Sequence, residues 1–204
     1  MPRRPALASA TAALCALTAL TACQGSPEAG QPNTTPATTT SSGPTASPTP
    51  SGPQWTPAEQ TAITAAKKQY ALARAAIDAA LAAPAKADKA KLASAGNGGA
   101  WMTTVLEDLT TFQEYGWYES GRTKVTTLQV SSVNLKLEQP EVRLVNCIDI
   151  SGVVIRSQAN NKPVTAGTGT KEPKKVSSRV VYAPSATGAG KRWWLIAEQE
   201  MGTC

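Results

Sequence analysis

Hydrophobic patterning divides the chain into zones. Pro5 to Cys23 carries no charge and is rich in Ala and Leu, whereas residues 24–54 hold no apolar side chain larger than Ala except Pro. From Trp55 the pattern becomes helical. Thr56-Pro57-Ala58-Glu59 has the signature of a helix start, with Thr56 as cap, Pro57 at the first position and Glu59 reaching back as a capping box. Ile63, Tyr70, Ile77 and Leu81, with Ala66 and Ala73 between them, form one apolar stripe on a long helix that ends before Pro84. A short helix is expected over Ala85–Leu92, broken by Gly96-Asn97-Gly98-Gly99. Trp101, Val105, Leu109 and Phe112 mark a third, reaching about Tyr115.

Beyond Gly116 the period falls to two. Val125 and Thr127, then Val133, Leu135 and Leu137, predict strands whose alternation slips between Leu128 and Val133, as a bulge or strong bend would make it do. Val142, Leu144, Asn146, Ile148, Ile150 and Val154 fall on one face of a long strand, with Arg143, Cys147 and Asp149 on the other. Lys174–Tyr182 and Arg192–Met201 read as two more strands, with Asn160–Pro163 and Ala183–Gly190 as loops. Helices first and a bent antiparallel sheet second is an α+β pattern.

Three stretches carry a further resemblance: Tyr115-Gly116-Trp117-Tyr118, Val145-Asn146-Cys147-Ile148-Asp149, and Trp193-Trp194-Leu195-Ile196 running on to Cys204. With the element order, they make residues 56–204 resemble the nuclear-transport-factor-2-like fold, the cone shared with ketosteroid isomerases, and its secreted members in high-GC bacteria. The resemblance implies N-terminal helices packed into the concave face of a strongly curved sheet. It also implies that a homodimer could form through the sheet's outer face, which Lys and Arg on those strands would oppose.

The N-terminal zones give an address. Arg3-Arg4 before a short apolar core reads as a secretory signal peptide. Its end, Leu20-Thr21-Ala22-Cys23, resembles the bacterial lipoprotein lipobox. That implies cleavage after residue 22, a diacylglycerol on the Cys23 sulfur and anchoring to the outer face of the cell membrane without a transmembrane helix. An ordinary secreted protein cut nearby, with Cys23 a free thiol, is the alternative. Of the 31 residues from 24 to 54, 23 are Pro, Gly, Ser or Thr, too polar to offset the entropy of ordering. They read as a tether averaging about 30 Å end to end, or roughly 95 Å if stretched, either O-glycosylated or a bare spacer. The expected organisation is therefore signal peptide 1–22, anchor and tether 23–54, and an α+β domain over 55–204.

Four cysteines are present. Cys15 leaves with the signal peptide and Cys23 is the anchor, so Cys147 and Cys204 remain as one structural disulfide in a compartment that permits it. Their distance in sequence is unlike a redox Cys-x-x-Cys pair. No histidine occurs, which removes His-based nucleophile pairs, acid–base chemistry and metal ligation. No metal or cofactor is expected. Gly167-Thr168-Gly169-Thr170 lacks the ending of a phosphate loop. Ketosteroid-isomerase-like chemistry needs an Asp base and a Tyr-containing oxyanion hole. Glu107, Asp108 and Asp149 do not map onto those positions and read as solvated carboxylates. Tyr115, Trp117 and Tyr118 are candidates for a pocket mouth, and one of Trp193 and Trp194 should be core, leaving Trp194 as a contact candidate.

Charge is uneven. Arg122–Arg192 holds 12 basic and 4 acidic residues, net +8, while Gln54–Gly121 holds 6 and 7, net −1. A basic sheet half on an anchored protein could meet an envelope protein or an anionic wall polymer; nucleic acid does not fit the compartment. Two functions follow. One is a non-enzymatic, lipid-anchored extracytoplasmic binding or interaction module. The other is a small-molecule pocket protein, or a weak isomerase or hydratase using carboxylate and Tyr. A raised-pKa carboxylate in an apolar cavity would favour the second, and a filled interior with an exposed aromatic on the sheet the first.

Overall fold

A computed structural model describes residues 54–165, 172–185, 188 and 190–204. The signal peptide, Cys23, nearly all of the tether and the Gly167–Lys171 stretch lie outside the described residues.

Helix α1 spans Pro57–Ala82 and starts as its sequence dictates. Thr56 accepts from the Glu59 amide at 3.3 Å, and the Glu59 carboxylate accepts from the Thr56 amide at 2.8 Å. The segment read as one short helix is instead a 3-10 turn over Pro84–Lys86 followed by α2, Lys89–Ser94, capped by Asp88. Pro84 opens the turn, and the Asp88 carboxylate takes the Ala90 amide at 2.7 Å, restarting the helix. Helix α3, Gly99–Glu114, ends at Gly116, whose φ of +62° terminates the helix in a conformation glycine adopts without strain.

Six antiparallel strands follow: β1 (Trp117–Ser120), β2 (Lys124–Asn134), β3 (Glu141–Asp149), β4 (Val154–Ser157), β5 (Lys174–Pro184) and β6 (Lys191–Thr203). They form an open four-stranded sheet, β2-β3-β5-β6, and a separate two-stranded sheet, β1-β4. The slip in β2 is real. The register shifts between Val125 and Thr127 and again between Val130 and Ser132, within one strand. Leu135 and Leu137 lie in the turn after it.

The long strand expected from Val142 to Val154 is two strands. The Asp149 carboxylate accepts from the Ser151 amide at 2.8 Å and the Val153 amide donates to the Ile150 carbonyl at 2.9 Å, which turns the chain at Gly152. The turn spans an even number of positions, so the apolar alternation carries across it unbroken. β4 then leaves the main sheet for β1. Gly121 lies against this turn, where a Cβ would come within 2.0 Å of the Gly152 carbonyl oxygen.

The core has two parts. On the four-stranded sheet, Ala62, Ala66, Tyr70 and Ala73 of α1 pack on Val142, Leu144, Val180 and Leu195. Small alanines let the helix lie close to the strands. Between the helices, Ile77, Ala80, Leu92, Met102, Val105 and Leu109 form the second part. Each large side chain so buried contributes roughly 1.5–3 kcal/mol relative to exposure. The Gly96–Gly98 loop covers the β6 edge: the Leu195 amide donates to the Gly96 carbonyl at 2.8 Å, and the Gly98 amide to the Leu195 carbonyl at 2.9 Å.

Cys147 and Cys204 form a disulfide, with Cα atoms 6.0 Å apart and 57 residues of separation. It fastens the end of the chain on the face of the sheet opposite α1. Closing so long a loop is worth on the order of 4 kcal/mol in the chain-entropy model. No helix among the described residues is long and apolar enough to cross a membrane. Disulfide and helices alike are compatible with an extracytoplasmic domain.

Candidate functional site

Between α1, α3 and the β1-β4 sheet lies a cavity of about 460 Å³. Arg74, Ile77, Asp78 and Leu81 enter it from α1 at helical spacing, and Trp101, Val105 and Asp108 from α3. Glu119 on β1 and Ile155 on β4, directly paired in register, close the opposite wall with Val153 and Val154. The walls are thus aliphatic and aromatic, with three carboxylates and one guanidinium set into them.

The four charges are held differently. Arg74 is tied down: its Nη1 donates to the Glu198 carboxylate at 2.8 Å, and the two side chains are only 15% and 5% exposed. Glu198 belongs to a chain of buried polar groups beneath α1. The Asn146 amide donates to Ser178 Oγ at 2.7 Å, and Ser178 donates to Glu198 at 3.1 Å. The Tyr70 hydroxyl lies beside the same groups, and burial, together with the Glu198 charge, holds its pKa well above the usual tyrosine range. Arg74 also sits 5.9 Å over the Trp101 ring. Two donors at this end of the cavity, Arg74 Nε and Trp101 Nε1, are buried and make no hydrogen bond among the described residues.

The carboxylates form no ion pair among the described residues. Asp78 accepts from the Thr123 amide at 3.2 Å. Burial pushes the Glu119 carboxyl above the usual range, and the neighbouring Asp78 and Asp108 charges add to the shift while Arg74 opposes it. Burial, then the adjacent Glu107 charge, raises Asp108 as well.

Asp108, read from sequence as solvated, therefore faces the cavity. Asp78, Glu119 and Arg74 had no functional reading at all. Their signal is spacing: Arg74 and Asp78 flank the apolar stripe of α1, and Asp108 lies three residues after Val105. Asp149 does stay outside, its pKa lowered by its bonds to Ser151.

The aromatic candidates are elsewhere. Tyr115 is 64% exposed and stacks on Trp117 at 4.7 Å, and Trp117 meets the edge of Phe112 at 6.2 Å. Alternation along β1 turns Tyr118 away from Glu119, to a second cavity of about 310 Å³ shared with Pro84 and Gln158, where its hydroxyl bonds Asn161 at 3.2 Å. Trp193 packs on the sheet core. Trp194 lies over Gly98, donates to the Ala183 carbonyl at 3.1 Å and carries Arg192 on its face at 4.9 Å. None of Tyr115, Trp117, Tyr118 and Trp194 lines the larger cavity.

On the outer face of the sheet, Arg143 and Arg179 both bind Glu141. Burial raises the Glu141 carboxyl, but the two arginines outweigh it and hold its pKa below the usual range. Among the described residues no cluster of three or more acidic or cysteine side chains is arranged to hold a metal ion.

No protein-family model matches the chain, and no curated protein matches it. Among solved structures, it is similar to the intermembrane space region of the chloroplast protein ARC6, with a TM-score of 0.47 at 11% identity over 74% of this chain and 100% of that one. That degree of similarity assigns neither fold family nor function.

Proposed function

We propose that this protein is a small-molecule-binding module of the cell envelope, secreted and anchored through lipid on Cys23, with its ligand held in the cavity between α1, α3 and the β1-β4 sheet. The observation that carries the reading is the cavity itself: about 460 Å³, apolar-walled, with a few polar groups converging on it. The lipobox and polar tether of the sequence, and the disulfide, support the address. The helices-then-bulged-sheet order supports a cone of the nuclear-transport-factor-2-like kind.

The raised carboxyls of Glu119 and Asp108 favour a pocket over a surface interaction module. Catalysis by carboxylate and Tyr gains less support, because no tyrosine is among the lining residues. Binding of an anionic polymer by the basic sheet face is weakened by Glu141, which already neutralises part of the Arg143 and Arg179 charge.

The test is calorimetric titration of the full chain with 4-phenylbutanol, a neutral probe with an apolar body. One-site, saturable binding that Val153→Trp abolishes by filling the cavity is the expected result. Absence of saturable binding by this probe and by its amine and carboxylate counterparts, or binding that Val153→Trp leaves unchanged, overturns the reading.

A further inference from the structure

The cavity is polarised along its helices. Arg74 and Trp101 meet at one end. Asp78 lies one turn further along α1, about 6 Å away, and Asp108 two turns further along α3, about 10 Å away. Both approach Glu119 closely enough for their charges to act on it. Away from that end the cavity presents three carboxylates with no ion pair among the described residues.

Arg74, the sole cationic lining residue among the described residues, does not balance those acids, because Glu198 already takes its charge. Three like charges around one apolar space repel each other, and a bound cation would relieve all three at once. A hydrated inorganic ion would leave the apolar walls formed by Ile77, Leu81, Val105, Val153 and Ile155 without contacts. A neutral or anionic ligand would leave the repulsion in place or increase it.

Resting on the pocket reading above, we infer that the natural ligand is an organic ammonium ion with an apolar body, its charged nitrogen set among Asp78, Asp108 and Glu119. Alkylamines and arylalkylamines have this form.

Three probes with one shared body separate charge from shape: 4-phenylbutylamine, 4-phenylbutanol and 4-phenylbutyrate, titrated into the full chain. A charge-assisted hydrogen bond in a partly buried site predicts that the amine binds about tenfold or more tighter than the alcohol at neutral pH. The butyrate should bind weakest. Glu119→Gln and Asp108→Asn, both near-isosteric, should erase most of the amine's advantage over the alcohol. The wild-type protein gives a second reading that needs no variant. The groups facing Glu119 are Asp78 and Arg74 from α1 and Asp108 from α3. Lowering the pH protonates the raised carboxyls first, so the amine's advantage should fall while the alcohol's affinity stays level. Equal binding of amine and alcohol, or a preference for the butyrate, overturns the inference and leaves the pocket reading standing. Failure of all three probes to bind overturns both.

Discussion

From Ala62 to Ala73, α1 lies on the four-stranded sheet; from Arg74 to Leu81, the same helix borders a cavity. The first half is filled. Tyr70 and the alanines pack over Val142, Leu144, Val180 and Leu195, and a polar chain runs from Asn146 to Ser178 to Glu198 to Arg74, with the Tyr70 hydroxyl and Asn146 Oδ1 making no hydrogen bond among the described residues. The second half is open, with three acids that have no cationic partner of their own among the described residues. A buried polar chain that is largely satisfied fixes one packing, because each broken link costs a full desolvation. Acids left unpaired around a space do nothing for stability, and their arrangement makes sense as recognition. One helix therefore carries a structural half and a binding half, with Arg74 at the join.

The largest expected effect tests the filled half. Glu198→Ala strands the Arg74 charge in the interior and should cost about 3–5 kcal/mol in urea denaturation. A loss below about 1 kcal/mol would mean that the pair is not buried as described. Matched truncations sharpen the contrast. Leu144→Ala, in packed surroundings, should cost about 2–4 kcal/mol. Leu81→Ala, facing space on one side, should cost about 1 kcal/mol, because fewer contacts are lost. Equal costs would erase the distinction between the halves.

The smallest effect reads the acids. The folded pKa of Glu119 is raised above its unfolded value, so the folded state binds more protons than the unfolded state between those two values. Its contribution to stability is full below the ordinary glutamate range and is lost as pH rises through the raised value. Glu119→Gln should therefore give a slightly higher melting temperature than the wild type at neutral pH, with the difference vanishing in acid. A variant less stable at neutral pH would show Glu119 to be a structural group.

Much of the filled half was legible in the sequence. Period-3.6 positions from Ile63 to Leu81 gave α1, the capping residues gave its start, and the slip after Leu128 gave the bulged β2. The number and compartment of the cysteines gave the Cys147–Cys204 bond. Asn146 was legible as a residue of the buried face of β3, but its partners Ser178 and Glu198 lie 32 and 52 positions further on, and only strand pairing brings them together. The open half was illegible for a related reason. An acid one step off an apolar stripe, such as Asp78 or Asp108, looks like any solvated helix residue until a third element is set against it. That element is β1, and its place depends on the turn at Ser151-Gly152, which the unbroken alternation from Val142 to Val154 concealed. The conspicuous aromatics, Tyr115, Trp117, Tyr118 and Trp194, drew attention to the surface and to loop packing instead.

The most direct test of the binding half uses the indole N–H signals of the five tryptophans, assigned by single Trp→Phe variants and followed by NMR as 4-phenylbutylamine is added. The account predicts that the Trp101 signal moves with saturation, because the Trp101 ring lines the occupied cavity. The Trp117 and Trp194 signals should stay in place. Movement confined to Trp117 or Trp194, or no saturable movement of any signal, would contradict it.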